Sequence, residues 1–426
     1  MRMATERRTA PTWVQFRGII AYSLGPVLGL ASGPILARVM GPEGRGEFAT
    51  IMQPLTVAGA LAGLGVPAAT TYFIASRRNS PTAAYRRGLC VVSVPSLAVF
   101  AFMVWYSGVV SETQPIARYI LVLAWTQVVA QAVVSVRRGY WQGLAGWAVL
   151  DRERSVFAVL RFAAIAVLAL IGVSAASLFA AGALAAFVVA AALLWSPVPN
   201  VPARAPARGA GPTSESDGLR PFLLYSLATS AGTICIAANS RLDQMLMPGQ
   251  VSSREIGLYA VAVTVAEVPL ILATLAGRDA LQMSGAGASA RDIARHSALH
   301  LGLMAGLALL LGTCGAWYVP IVFGRGFEAA VPVVTVLSIA SVLNGVAVVI
   351  GAVINGRGRP TLGSAIPIAG LLVTLVGFAS MWGHVDAWVS GLIGLASQGV
   401  SAAVALVVLA TPRRTRVRQK DKGVPA

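Results

Sequence analysis

The chain has 426 residues, 56% of them hydrophobic and only 12% charged, with a formal net charge of +17. So apolar a composition leaves too little polar surface for a water-soluble body of this size, and lipid must be the solvent for most of it. The 33 lysines and arginines form short clusters between apolar runs rather than a basic face interleaved with aromatics, which argues against nucleic acid as a partner.

Crossing about 30 Å of hydrocarbon takes roughly 20 mostly apolar helical residues. Runs of that kind fall at about residues 18–40, 46–75, 88–110, 116–136, 155–173 and 175–195. A second set follows at about 221–247, 256–277, 297–318, 328–354, 361–382 and 388–410. The first run is longer than a signal-peptide core and no small-residue cleavage pattern follows it, so it reads as a retained span. The expectation is an all-α integral membrane protein of about 12 transmembrane helices in two six-helix bundles. Residues 1–195 form the first bundle, 196–220 a flexible linker rich in Pro, Gly, Ala and Arg, 221–410 the second bundle, and 411–426 a basic tail.

Basic residues gather on alternate loops, as at Arg77, Arg78, Arg86 and Arg87, at Arg137, Arg138, Arg152 and Arg154, and in the tail from Arg413 to Lys422. The opposite loops hold only Arg45, Arg118, Arg254 and Arg325. Loops that stay in the cytoplasm retain Lys and Arg, so both termini are expected to be cytoplasmic in a multi-pass protein of the cell membrane. The outer loops are short and carry only scattered acids, such as Glu112 and Glu328. A membrane glycosyltransferase or polymerase needs a wet pocket with acid or base residues, so the chain is not expected to be an enzyme.

No cofactor or metal is expected. Cys90, Cys235 and Cys314 lie far apart in apolar runs, and His296 and His300, four residues apart, have neither a Cys nor a carboxylate triad nearby.

The two sets of spans share short matches. Gly46-Glu47-Phe48-Ala49 aligns with Gly257-Leu258-Tyr259-Ala260, and Gln142-Gly143 with Asn355-Gly356, at nearly equal offsets. Such a pattern points to a parallel internal repeat, an arrangement found in transporters whose binding site lies between the halves.

A charge at the centre of a membrane helix costs at least ~2.5 kcal/mol, so each one raises a functional question. Glu267 sits near the middle of the eighth span with Thr264 and Thr274 on its face, as a cavity carboxylate that binds a proton or cation or pairs with an arginine. Asn239 and Asp243 share one face of the seventh span, while Arg241 points away from them, so the three are not expected to line one cavity. Arg241 and Arg38 lie in the outer parts of their spans, and Arg161, near the inner end of the fifth, is placed to snorkel. Gln127 and Gln131 on the fourth span and Asn344 in the tenth are amides suited to sugar hydroxyls or to joining helices. Gly41-Pro42-Glu43-Gly44-Arg45-Gly46 lacks the strand and helix of a phosphate loop and reads as a tight outer turn.

The segment from Leu36 to Phe48, followed by Gly63-Leu64-Gly65-Val66-Pro67, resembles the opening of the polysaccharide-biosynthesis flippases of the multidrug/oligosaccharidyl-lipid/polysaccharide (MOP) superfamily. Asp243 with Gly257-Leu258-Tyr259-Ala260, then Phe323-Gly324-Arg325-Gly326-Phe327, then Gly356-Arg357-Gly358-Arg359, are similar to its later motifs. The resemblance implies two facing bundles around a cavity that opens to either side in turn. It implies a cargo of polyprenyl-diphosphate-linked oligosaccharide or polysaccharide precursor. Arg38 and Arg241 are then candidates for the diphosphate, with Gln127, Gln131, Asn239 and Asn344 along the cavity, and Asp243 and Glu267 as carboxylates for H+ or Na+ coupling. The first two spans lack the several deep arginines that the lipid II flippase branch implies. A multidrug cation antiporter of the same superfamily, and a membrane glycosyltransferase or polymerase, are the competing readings. Membrane lipid and the lipid-linked glycan are the expected partners, with envelope-assembly proteins as partners for the linker or tail.

Overall fold

The computed structural model describes residues 12–76, 80–195 and 218–411, with side chains from Leu24 onward. Most of the expected linker and all of the basic tail past Thr411 lie outside the described residues, as do Arg77 and Arg78. The described chain is helical, with no strands.

The first helix, α1 (Thr12–Met52), is two helices joined where Gly41 adopts φ 68° and ψ −176°. Pro42 then restarts the helix, because its fixed φ suits a first turn that needs no N–H. The chain continues through α2 (Pro54–Gly63) and α3 (Val66–Ala75). They are separated at Leu64 and Gly65, whose φ values of 39° and 67° are left-handed. Only glycine fits at 65: its φ is positive, and a β-carbon there would overlap the Ser226 carbonyl oxygen. α4 (Pro81–Thr113) starts at Ser80, whose hydroxyl accepts from the Ala83 N–H at 3.2 Å. α5 (Arg118–Trp125) and α6 (Gln127–Gly143) form one rod, followed by α7 (Trp147–Leu170) and α8 (Ala176–Ala192).

The second set comprises α9 (Leu219–Leu246), α10 (Ser253–Gly285), α11 (Ala290–Thr313), α12 (Gly315–Val322), a 3-10 turn (Arg325–Ala330), α13 (Val331–Gly356), α14 (Pro360–Ser380) and α15 (Ala387–Ala410). Ser252, Ser289 and Asp386 cap α10, α11 and α15 by accepting N–H bonds three residues on.

Ten runs are long and apolar enough to cross a membrane, from Leu24–Gly63 to Ala387–Ala410. By length and composition alone this is two fewer than the expected twelve, which it neither confirms nor overturns, and two features account for the difference. The first two expected spans form one continuous run around Gly41, and α7 carries Asp151, Arg152, Glu153, Arg154 and Arg161, too many charges for its length.

Two large apolar clusters make up the core. One is drawn chiefly from α1 to α8 and includes Phe48, Phe73, Trp125 and Phe179. The other is drawn chiefly from α10 to α15 and includes Tyr259, Phe323, Phe327 and Phe378. They meet along two seams. In one, α2 and α3 pack on α9, with Tyr72 stacked on Tyr225 at 4.4 Å and Phe73 against Phe222 at 5.4 Å. In the other, the Gly41 end of α1 crosses the start of α10. A β-carbon on Gly46 would overlap the Ser253 carbonyl, and one on Gly257 would overlap the Pro42 carbonyl. The two glycines that align between the halves of the sequence therefore form the point where the backbones touch.

The other aligned pair packs alike in each half. A β-carbon on Gly143 of α6 would lie 2.7 Å from Ile74 Cβ on α3, and one on Gly356 of α13 2.7 Å from the Leu281 carbonyl on α10.

Candidate functional site

Arg45 stands where the halves cross. The turn at Gly41 and Pro42 leads directly into helix, so Arg45 falls on the same helical face as Phe48, Ala49 and Met52. It is 5% exposed, its guanidinium lies 5.7 Å from the Phe48 ring centroid, and its Nε and Nη1 find no protein acceptor. This corrects the expectation of an outer-turn arginine: the motif is helical from Pro42 onward, and the short side chains around it let the guanidinium turn inward. Arg161, Arg241 and Glu267 all lie within electrostatic range of it. Arg161 is not at a span end. Because α7 begins at Trp147, it sits mid-helix, and its Nε is buried without a protein acceptor. Desolvated guanidinium N–H groups without partners are costly, and that cost is offset when an anion reaches them.

Two cavities flank this group. One, of about 450 Å³, lies between the first half of α1 and α7, with Gly25, Gly29, Ser32, Arg138, Glu153, Arg154, Phe157 and Arg161 in its wall. Arg138 forms a two-point ion pair with Glu153 there, at 2.6 and 3.2 Å, and Glu153 is 1% exposed. The other, of about 130 Å³, lies among α9, α10, α13, α14 and α15. Its wall holds Asn239, Arg241, Asp243, Glu267 and Asn344 together with Tyr259, Ser341, Ser397 and Gln398.

Five of the eight candidates named from sequence thus meet in one cavity. Asn239, Arg241 and Asp243 line it together, against the helical-wheel expectation, because a guanidinium is long enough to swing across its own helix. Arg241 Nη1 donates to Glu267 Oε1 on α10, so it is paired rather than snorkelling. Asn239 Nδ2 donates to the Pro367 carbonyl at 2.5 Å. The Tyr259 hydroxyl donates to Asp243 Oδ2 at 2.5 Å, and Asp243 Oδ1 accepts the Gln244 N–H at 2.7 Å.

The other three candidates lie elsewhere. Arg38 is exposed and donates Nε to the Val322 carbonyl at 3.0 Å and Nη2 to the Ile321 carbonyl, at the end of α12. Gln131 packs on Gly59 of α2, so it serves the seam between α6 and α2, and Gln127 keeps a buried Oε1 without a protein donor. Away from the site, His296 Nε2 lies 3.1 Å from Asp279 Oδ2, and among the described residues no group of three or more metal-binding side chains occurs.

The family model for Polysaccharide biosynthesis protein matches residues 17–281. No curated protein sequence matches the chain. Among solved structures, an inward-facing multidrug resistance MATE transporter of the MOP superfamily is similar with a TM-score of 0.66 at 15% identity, covering 92% of this chain and 96% of its own. The lipid II flippase MurJ in an inward closed conformation is similar with a TM-score of 0.67 at 10% identity, covering 92% and 87%. The eukaryotic MATE transporter AtDTX14 follows with 0.56 at 12% identity, covering 93% and 96%. At these identities the likeness establishes a shared fold.

Proposed function

The chain belongs to the polysaccharide biosynthesis protein family, and from that membership we propose that it moves a polyprenyl-diphosphate-linked oligosaccharide or polysaccharide precursor across the cytoplasmic membrane. The single observation that carries this reading is the set of buried Arg45 and half-buried Arg161 and Arg241, held where the two halves cross and only partly neutralised by Glu267 and Asp243. Residues 1–195 and 221–410 act as two six-helix bundles that rock about the Gly46 and Gly257 contact and about the seam of α2 and α3 with α9. The end of the molecule at Ala410 faces the cytoplasm, where the basic loops gather.

A diphosphate is a compact double anion that guanidinium groups hold through paired N–H bonds. Arg45 and Arg161 supply unpartnered donors for it, and Arg241 supplies more once Glu267 lets go. Sugar hydroxyls need neutral donors and acceptors, which Asn344, Ser341 and Gln398 supply next to Arg241. The polyprenyl tail needs no site, because it stays in lipid while the head moves. Glu267 and Asp243 are the carboxylates through which H+ or Na+ would couple: breaking the Arg241–Glu267 ion pair frees Arg241 for the anion, and re-forming it helps expel the anion.

A cation antiporter with the same fold is disfavoured by this charge pattern, since a cation would meet three arginines at the junction. The test is transport by the reconstituted protein. A fluorescent polyprenyl-diphosphate oligosaccharide should move across proteoliposomes at a rate proportional to protein amount. Efflux of cationic drugs without movement of that lipid would reverse the assignment.

A further inference from the structure

The seam where α1 crosses α10 extends to the end of α4. Pro115 restricts the residue before it to extended backbone, so Gln114 leaves the helix at φ −113° and ψ 145°, which frees its side chain from the helical face. Gln114 is 4% exposed. Its Nε2 donates to the Pro248 carbonyl at 2.9 Å and to the Val251 carbonyl at 2.6 Å, and its Oε1 accepts from the Ser253 hydroxyl at 2.7 Å. Thr113 also donates to the Pro248 carbonyl, and Tyr106, two turns earlier, to that of Met245. Carbonyls at the end of a helix lack partners within it, and those at and beyond the end of α9 find theirs on the opposite half of the molecule. Ser253 ties this cluster to the crossing: its hydroxyl is held by Gln114, and its carbonyl is the one that a β-carbon on Gly46 would overlap, one residue from Arg45. The seam of α2 and α3 with α9 is of another kind, with aromatic rings at 4.4 and 5.4 Å and the Thr229 hydroxyl reaching the Gly65 carbonyl only at 3.4 Å.

We propose that Gln114 is the latch of the mouth away from Ala410, and that the carrier opens there only when its three hydrogen bonds break. The connection from α9 to α10 belongs to the second half and α4 to the first, so no rocking that parts the halves at this end leaves those bonds intact. Glu255 Oε2 accepts the Ala387 N–H, which places the start of α15 at the same end. A neighbouring group favours opening. Gln244, next to Met245 on α9, is 1% exposed, and both ends of its amide are without a partner among the described residues, a cost that water entering the mouth relieves. A latch offset by such a cost holds the mouth closed without making it permanent. This rests on the rocking of the two bundles proposed above and adds the element that governs it, whatever the cargo.

The test is the distance across each mouth of the full chain in lipid nanodiscs without cargo, read by pulsed double electron–electron resonance between spin labels. Cys90, Cys235 and Cys314 are replaced by alanine, and labels go on exposed positions, Glu112→Cys with His384→Cys at the latch end and Ser76→Cys with Leu219→Cys at the other. With Gln114 in place, the pair at the latch end should hold one short distance. Gln114→Ala should raise the population at a longer distance at least about tenfold while the other pair keeps its distribution, and Ser253→Ala should raise it about fivefold, the worth of one hydrogen bond. The double variant should exceed Gln114→Ala by less than about twofold, because the two residues share that bond. An unchanged latch pair in Gln114→Ala overturns the proposal. So does a lengthening of both pairs together, which would make Gln114 a brace of the whole fold. If Gln114→Ala does not assemble, Ser253→Ala decides, and an unchanged distribution there overturns the proposal. Each of these results leaves transport by the wild type standing. A wild type in which neither pair changes distance when polyprenyl-diphosphate oligosaccharide is added fails the rocking reading first, and this inference with it.

Discussion

The cavity between α1 and α7 encloses about 450 Å³ behind three arginines and a glutamate, whereas the one among α9, α10, α13, α14 and α15 encloses about 130 Å³ behind amides, hydroxyls, two carboxylates and one arginine. The helices around them follow a shared plan, for Gly46 meets Gly257, and Gly143 and Gly356 pack in like manner within their own halves. What differs is the chemistry laid on that plan. A repeat fixes backbone crossings, because close approach admits only glycine, but leaves the facing side chains free to diverge. A ligand lying across the junction then meets charge on one side and hydrogen-bonding groups on the other, which is what a phosphorylated sugar presents.

Removing the buried charge where the two halves cross should have the largest effect. Arg45→Gln keeps a polar side chain but loses the cation, and transport of the diphosphate-linked glycan should fall about a hundredfold at equal reconstituted protein, from losing two charge-assisted hydrogen bonds. Glu267→Gln acts chiefly on the second cavity. It releases Arg241 from its ion pair, so cargo should bind more tightly while turnover slows about tenfold, because the anion is no longer displaced. The half-saturating cargo concentration and the maximal rate, measured together, separate this from a folding defect. Asn344→Ala should raise the half-saturating concentration about threefold with little change in maximal rate, as expected for one neutral hydrogen bond to a sugar. Arg38→Gln should change transport less than twofold, since Arg38 meets only carbonyls at the end of α12. A large loss there would move the anion site away from the junction.

The helical pattern of the chain, its apolar runs and the glycine pairs were legible because each depends on local composition and spacing. Glu267, Arg241, Asp243, Asn239 and Asn344 were legible as polar groups in apolar helices, and burial cost gives such residues a reason to meet. Arg45 was not, because Gly41-Pro42-Glu43-Gly44 has the chemistry of a turn. The available signal was the spacing of Arg45, Phe48, Ala49 and Met52 on one helical face directly after a proline suited to a first turn. Arg161 was misjudged for a different reason. The charges from Asp151 to Arg154 suggested a loop, whereas Glu153 is buried in its ion pair with Arg138 and the helix begins earlier, at Trp147. Pairing in three dimensions lets a helix carry charges that a hydropathy count assigns to water. The break at Leu64 and Gly65 follows from the fit of α2 and α3 against α9, which the order of residues does not reveal.

Equilibrium binding to the purified protein tests the central claim most directly, using a polyprenyl-diphosphate glycan and the same glycan on an uncharged polyprenyl ether. The diphosphate form should bind at least about thirtyfold more tightly to the wild type, and Arg45→Gln should remove most of that difference. Equal affinity for the two lipids, or a preference that survives Arg45→Gln undiminished, would contradict an anion site at the crossing of the halves.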